Sequence, residues 1–408
     1  MKKFLPAAFI TLPIFCIEIA IAQPDQFVYA VTSLQKGGTE WISLRRLNTQ
    51  TNELSTLIQN GTDRTIGIYD AGNMRKIESF VNDTLMNANP QAIFGSGVAA
   101  IGYDRTTNRL FFTPMLVDEL RYIDLGTMKV FSVTDQSFGK AGNFQFYAGA
   151  ISRMVVAPDG YGYTVTNDGE HLLRFNTRGN IVITDLGPLQ ESPANTEAAK
   201  NNACANAGGD LVADDNGNLY LFTASNRVFE VNISSRDTKY LGTISGLPQG
   251  FTTNGAAADE YGNVIVSSSV FSESYFLVDP KTWRGSTYKP ANENYGAADL
   301  ANGNTLNIQS NPVIKTFSRF SNNIRVFPNP VFNDQFTVQF SNLRAANYTI
   351  QLTDAFGGKV LEHKVKVTQA NQSETINIPG GNAQGSYFLI VLDENNLNLY
   401  SQIILLER

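Results

Sequence analysis

The stretch Gly255–Val266, which reads GAAADEYGNVIV, sets the pattern of most of the chain: small apolar residues, an acidic Gly-Asn turn and a second apolar run. Three further segments repeat this order, namely Val98–Phe112, Met154–Val165 and Asp210–Leu221. Apolar runs separated by Asp, Gly and Asn predict antiparallel strands joined by tight hairpins, because these residues tolerate the backbone angles of such turns. We therefore expect the repeated Asp residues to form turns rather than to bind metal ions.

Two more predicted strands follow the repeated hairpin. The third strand is seen at Leu120–Asp124, His171–Asn176, Arg227–Asn232 and Tyr275–Asp279, and a fourth at Lys239–Thr243. Four strands per unit, a spacing of roughly 45 to 55 residues and no helical periodicity are typical of β-propeller blades. Small side chains suit the first strand because the innermost strands crowd around the axis. The sequence thus predicts an all-β chain, with a propeller of about five to seven blades over residues 23–321.

The two ends of the repeat region are incomplete in complementary ways. Tyr295–Asn304 repeats the first-strand motif without a full blade after it. Phe27–Thr32 and Trp41–Asn48 resemble second and third strands that lack a first strand. Joined, they form one blade from both ends of the region and leave no free sheet edge. This pairing gives five blades, and Asp63–Gly97 leaves room for a sixth.

The C-terminal segment 322–408 has a different pattern. Pro328 and Pro330 exclude a helix at its start. Apolar residues then alternate with polar ones, as at Phe336, Val338 and Phe340, and an apolar strand lies at Ser401–Leu405. Alternation with a period of two predicts strands with one buried face. We expect a small β-sandwich here.

The order of motifs in this segment resembles the type A sorting domain of the type IX (Por) secretion system of Bacteroidetes. The matching residues are Pro328, Asn329, Pro330, Gly357, Gly385, Tyr387 and the strand Ser401–Leu405. Asp334-Gln335 stands where a Gly is usual and Gln402 where a Lys is common, but the order of motifs is kept. The resemblance implies that the type IX machinery is a partner and that the domain is removed on export.

The N-terminus predicts the first step of export. Met1-Lys2-Lys3 is followed by a mostly apolar run, and Ala20-Ile21-Ala22 is a typical cleavage site before Gln23. This is the pattern of a secretory signal peptide over residues 1–22 and is too short for a membrane span. No later stretch approaches the roughly 20 apolar residues that a span requires. We expect a secreted or cell-surface protein without a transmembrane segment in its mature form.

Few residues in the chain suit catalysis. Motifs of serine hydrolases, zinc proteases, P-loop proteins and thiol oxidoreductases are absent, and the chain has only two histidines, His171 and His363. Histidine-based catalysis is therefore poorly supplied. Loss of the signal peptide leaves one cysteine, Cys204, so no internal disulfide can form. A net charge of −6 without a basic cluster argues against a nucleic-acid partner.

The propeller region resembles secreted six-bladed propellers, including the NHL-repeat and gluconolactonase-like groups. Gluconolactonase-like enzymes hold a divalent cation through a Glu together with Asn and Asp residues. No matching Glu can be placed here, since Glu40 and Glu53 lie in a predicted strand or turn. The sequence indicates no cofactor, but it leaves open the binding of a divalent cation such as calcium.

Two functional hypotheses follow. The favoured one is an extracellular binding module for a carbohydrate or protein ligand; the alternative is a hydrolase or lyase acting on a sugar lactone or polysaccharide. Ligands of propellers bind where the loops before the first strands meet at one mouth of the channel, and alignment of the repeats places there Ser96, Arg153, Asp210, Asn254 and Tyr295. The alternative is that these five residues are solvated loop positions, or that Arg153 and Asp210 only pair with each other. If they form a site, replacing Arg153 or Asp210 by Ala should weaken binding without unfolding the protein.

Overall fold

The computed structural model describes residues 25–80, 89–138, 149–195, 208–288, 294–306, 323–341, 343–353, 359–380, 384–394 and 398–407. The predicted signal peptide at 1–22, Cys204 and Gly357 lie outside these residues. The boundary that we place at 321/322 also lies outside them, so the division into domains stays a prediction. Each of the two regions is described separately below.

The described part of the propeller region consists of strands joined by turns. In chain order the strands are β1 Phe27–Thr32, β2 Ser43–Asn48, β3 Leu54–Ile58, β4 Ile68–Asp70, β5 Val98–Asp104, β6 Arg109–Pro114, β7 Leu120–Asp124, β8 Lys129–Val133, β9 Ile151–Val156, β10 Tyr161–Thr166, β11 Leu172–Asn176, β12 Ile183–Asp185, β13 Gln190–Glu191, β14 Asp210–Ala213, β15 Asn218–Phe222, β16 Arg227–Asn232, β17 Asp237–Thr243, β18 Gly255–Ala258, β19 Val264–Ser267, β20 Tyr275–Asp279, β21 Arg284–Tyr288 and β22 Ala297–Ala301. No α-helix occurs among the described residues, which agrees with the all-β prediction.

These strands form five sheets within the described residues. From the outermost to the innermost strand, the sheets are β3-β2-β1-β22, β4-β8-β7-β6-β5, β12-β11-β10-β9, β13-β17-β16-β15-β14 and β21-β20-β19-β18. The innermost strands β22, β5, β9, β14 and β18 contact one another in a closed ring. Space at this ring is tight, since a Cβ on Gly255 would lie 2.8 Å from the backbone carbonyl carbon of Asp299. Crowding around the axis therefore explains the small side chains of the repeat.

The predicted ring closure is confirmed. Strand β22 pairs antiparallel with β1, with Ala301 opposite Tyr29 and Leu300 opposite Ala30. Both ends of the region thus contribute to one sheet. The expectation that residues 63–97 leave room for a sixth blade is wrong for the described part of that segment. Strand β4 instead pairs in parallel with β8 and forms the outer edge of the second sheet.

The hairpin turns form as the sequence predicts. Asp214 accepts hydrogen bonds from the backbone N–H of Asn216 and Asn218 in its own turn, each at 2.8 Å. Asp259 accepts equivalent bonds in the next sheet. The turn glycine Gly217 has a φ of 83°, which side chains disfavour. These carboxylates therefore act as turn formers.

The segment Asn302–Leu306 crosses the end of the ring at which the innermost strands finish. Asn302 donates a hydrogen bond to the carbonyl of Ala258 in the fifth sheet. Leu306 N donates to the carbonyl of Ala213 in the fourth sheet at 2.9 Å. A cavity of about 10 Å³ remains between the strands here, which is room for roughly one water molecule.

The described part of the C-terminal region forms two sheets. Its strands are β23 Ile324–Phe327, β24 Gln335–Ser341, β25 Ala346–Thr353, β26 Lys359–Val367, β27 Asn371–Asn377, β28 Gly385–Leu392 and β29 Asn398–Leu406. The sheet orders are β23-β24-β27 and β26-β25-β28-β29. Alternate residues of both sheets, such as Phe336 and Leu389, share one hydrophobic core.

Candidate functional site

Two carboxyl groups meet at the centre of the propeller ring. Asp210 begins β14 and Asp299 lies in β22, and both are fully buried. Their side chains share a hydrogen bond. Asp210 also accepts from the N–H of Ala256 in β18 at 2.6 Å, and Asp299 from the N–H of Ile101 in β5 at 2.6 Å. The pair thus joins the innermost strands of four sheets.

Sequence reasoning placed Asp210 at the channel mouth but missed Asp299. The structure buries Asp210 between the innermost strands, whose N–H groups need acceptors. A signal for Asp299 was present, since a charged residue interrupts the otherwise apolar strand Ala297–Ala301. A carboxyl inside a buried strand requires a partner, and here that partner is the second carboxyl.

Burial raises the pKa of both carboxyls. The pKa of Asp299 lies well above its usual range, because burial disfavours its charge and because the neighbouring charge of Asp210 repels a second one. The hydrogen bond from Asp299 and the N–H donors favour the ionised form of Asp210. Asp299 therefore keeps its proton to higher pH than Asp210 does.

The raised pKa values predict that the protein loses stability as the pH rises. Groups protonated in the folded state but ionised in the unfolded state stabilise the fold fully below about pH 4, and this stability is lost as the pH rises through the folded pKa. The slope reaches about 1.4 kcal/mol per pH unit for each proton. We expect urea denaturation between pH 4.5 and 7.5 to show a falling free energy of unfolding.

The variant Asp299→Asn isolates the contribution of the pair to this slope. Asp259, whose pKa is raised to about 7 by burial, contributes with the same sign and is unchanged in the variant. Asp299→Asn should lower the stability at acidic pH, because one N–H loses its acceptor, and should flatten the dependence on pH. An unchanged slope in the variant would contradict the raised pKa of Asp299.

Arg153 in β9 is a buried cation with an unused donor. Its side chain is 1% exposed, and its Nε donates to the carbonyl of Gly208 at 2.8 Å. Its Nη2 is buried and has no hydrogen-bond partner. Burial lowers the pKa of Arg153 to about 10, while the negative charges of Asp210 and Asp168 oppose this shift. No direct ion pair joins Arg153 to Asp210 among the described residues, although the charge of Asp210 acts on Arg153.

Two other buried arginines have guanidinium groups that donate several hydrogen bonds. Arg121 is fully buried and its side chain donates to Pro90, Ala92, Ile93 and Glu119. Arg45 is 3% exposed and donates to Thr32, Ser33 and Leu34. Buried donors without an acceptor are rare and cost about 1–3 kcal/mol each. Arg153 differs from these two residues, since it uses one hydrogen bond and leaves Nη2 open.

Asn254 also lies close to Gly208. Its Oδ1 accepts hydrogen bonds from Thr252 and from the N–H of Ser269, which fixes the orientation of the amide. A Cβ built on Gly208 would lie 3.7 Å from Nδ2 of Asn254. Arg153 and Asn254 therefore both place nitrogen donors close to Gly208, a residue that has no side chain.

The remaining two candidate residues have different surroundings. The ring of Tyr295 lies under the guanidinium of Arg45, with 3.7 Å between Cζ and the ring centroid. Ser96 is exposed, and no contact to the other four candidates is described for it. The structure thus brings Arg153 and Asn254 close to Gly208 and buries Asp210 with Asp299. The full set of five stays a prediction.

A divalent cation finds no ready set of ligands among the described residues, where no group of three or more His, Cys, Asp or Glu residues is positioned to hold one. The oxygens of Asp210 and Asp299 already accept backbone N–H groups. The two histidines each pair with a carboxylate, His171 with Asp185 and His363 with Glu374. Within the described ranges, no helix is long and apolar enough to cross a membrane.

The C-terminal strands correspond to a known family. Residues 325–406 match the family model described as "Secretion system C-terminal sorting domain". These residues are a sorting domain of the Por, or type IX, secretion system. The resemblance carried by Pro328, Asn329, Pro330, Gly385 and Tyr387 is thereby confirmed. A sorting domain implies interaction with the secretion machinery and export.

Comparison with other proteins adds little beyond the fold. No curated protein matches the chain by sequence. PorZ, a surface component of the type IX secretion system of Porphyromonas gingivalis, is 14% identical with a TM-score of 0.35, and the match covers 93% of this chain and 51% of PorZ. The chain therefore spans about half the length of that structure. Virginiamycin B lyase from Staphylococcus aureus is 9% identical with a TM-score of 0.33, covering 92% of this chain and 94% of the lyase.

Proposed function

We propose that the protein is cargo of the type IX secretion system and that its propeller is an extracellular binding module. The signal peptide at residues 1–22 supports passage through the inner membrane. The sorting domain at residues 325–406 supports passage through the outer one. The mature protein is then released or displayed at the cell surface, and its propeller binds the ligand.

The unpartnered Nη2 of Arg153 carries the proposal of a ligand site. A buried Nη2 without an acceptor is satisfied when a ligand oxygen reaches it, and Nδ2 of Asn254 offers a second donor close to Gly208. The negative charges of Asp210 and Asp168 act on Arg153. Hydroxyl oxygens can accept a hydrogen bond from Nη2 without adding a further charge to this buried site. The ligand class that fits is a neutral, hydroxyl-rich carbohydrate.

Replacing Arg153 by Met tests this site. A glycan array with the mature protein identifies a ligand, and calorimetric titration then compares the variant with the wild type. Met keeps the bulk of the side chain but has no donor, so we expect the dissociation constant to rise about tenfold to a hundredfold. Arg178 is exposed, and Arg178→Ala serves as the control that should bind normally. Equal affinity of Arg153→Met and wild type would refute the site.

A hydrolase or lyase is the second candidate, and the carboxyl pair is the observation that favours it. A protonated carboxyl beside an ionised one is a common arrangement for acid and base catalysis. Asp210 and Asp299 are both fully buried, however, so a substrate does not touch them in this structure. Binding is therefore the better supported function. Turnover of an array-selected glycan that disappears in Asp299→Asn would favour the enzyme.

A further inference from the structure

The Pro-Asn-Pro motif of the sorting domain is hydrogen-bonded to the last strand. Oδ1 of Asn329 accepts from the N–H of Leu405 at 2.9 Å. Val331 N donates to the carbonyl of Leu405 at 2.7 Å, and Glu407 N donates to the carbonyl of Val331 at 3.0 Å. Strand β29 is the edge strand of its sheet. The segment 329–331 thus covers the outer edge of the C-terminal half of β29.

Another part of the motif lies on the opposite side of the same strand. Gly385 stands opposite Leu406 and Tyr387 opposite Ile404 in the pairing of β28 with β29. Motif residues that are more than fifty positions apart in sequence therefore meet on either side of β29. These motif residues all lie next to the terminal strand β29.

Asn329 has a defined part in this arrangement. The prolines on either side of it have no backbone N–H and cannot donate to a neighbouring strand. The amide side chain of Asn329 provides an acceptor for Leu405 that the backbone of Pro328 or Pro330 does not provide in this geometry. Asn329 is also exposed, so direct recognition by the secretion machinery is the competing explanation for its place in the motif.

We propose that Asn329 is a positioning residue for export: it holds β29 in place, and the secretion machinery recognises the ordered strand rather than the Asn329 amide. This inference rests on the sorting domain and is independent of any ligand of the propeller. It separates two roles that the motif alone does not distinguish. It also predicts that the acceptor atom, rather than the amide as a whole, is what matters at position 329.

Two substitutions in the full chain test the proposal. Asn329→Ala removes the acceptor, whereas Asn329→Asp keeps an oxygen for Leu405 and removes the amide. Hydrogen exchange at the Leu405 amide is measured on protein from a host without type IX secretion, in which the domain stays attached. Export is measured in a bacterium that has the system. Asn347, an exposed residue of β25, provides the control variant Asn347→Ala.

For Asn329→Ala we expect exchange at Leu405 to be about five to ten times faster, as for loss of one hydrogen bond, together with reduced export. Asn329→Asp and Asn347→Ala should resemble the wild type in both measurements. Three results would overturn the proposal. They are lost export in Asn329→Asp while the Leu405 amide stays protected, normal export in Asn329→Ala despite faster exchange, and unchanged exchange in Asn329→Ala.

Discussion

Replacing Asp210 by Ala is expected to lower the free energy of unfolding of the propeller by about 3–5 kcal/mol, as expected for breaking a buried polar network. Asp210 accepts hydrogen bonds from Ala256 N and Leu300 N and shares one with Asp299. Alanine leaves these donors buried without an acceptor. Because whole domains are stable by only about 5–15 kcal/mol, this is a large loss. Urea denaturation of the mature protein, followed by tryptophan fluorescence, measures it.

Asp237 provides a matched control in the same sheet. It begins the outer strand β17 and is exposed, so Asp237→Ala should change the stability by no more than about 0.5 kcal/mol. If Asp210→Ala unfolds at the same urea concentration as the wild type, the carboxyl pair does not link the sheets. The sequence-based expectation that Asp210→Ala would leave the fold intact does not agree with the burial of Asp210 between the innermost strands.

Removing residues Tyr387–Arg408 is expected to abolish export, with the protein retained in the periplasm. The deletion takes away β29 and nearly all of β28, which pairs with β25 in the middle of its sheet. It also removes core residues such as Leu389 and Ile404. The remaining strands cannot bury their apolar faces, so no folded sorting domain is left for the machinery. Immunoblots of periplasm, cell surface and medium measure the distribution.

The exported wild-type protein provides the reference for this deletion. Mass spectrometry should show that it begins at Gln23 and lacks the sorting domain. The variant Lys364→Ala changes an exposed residue of β26 and should be exported normally. Normal export of the truncated chain would refute the sorting role, and an exported wild-type chain that still ends at Arg408 would refute its removal.

Features that depend on neighbouring residues could be predicted from the sequence. The turns at Asp214 and Asp259 follow from Asp, Gly and Asn at fixed spacing, because the side chain bonds to the backbone of its own turn. Ring closure between β1 and β22 was predictable as well. The N-terminal end of the region lacked a first strand, and the C-terminal end had a first strand without a full blade after it. The β4 segment was harder to assign, because a short polar strand at a sheet edge has weak periodicity.

The candidate site was only partly predictable. Alignment of the repeats placed Arg153 at the entrance of the ring, but it gave no indication that Nη2 is buried without a partner. The contact of Asp210 with Asp299 joins residues 89 positions apart, and only the closed ring brings them together. The burial of Arg45 and Arg121 was not among the predictions. Most of their acceptors are backbone carbonyls whose positions depend on the folded chain.

A crystal structure of the mature protein with its array-selected glycan tests the central claim most directly. The account predicts a sugar at the end of the ring where the chain enters the innermost strands, with an oxygen within about 3.2 Å of Nη2 of Arg153. Nδ2 of Asn254 should contact the same ligand. A sugar bound on the outer strands or at the end closed by residues 302–306, with Nη2 of Arg153 still unpartnered, would contradict it.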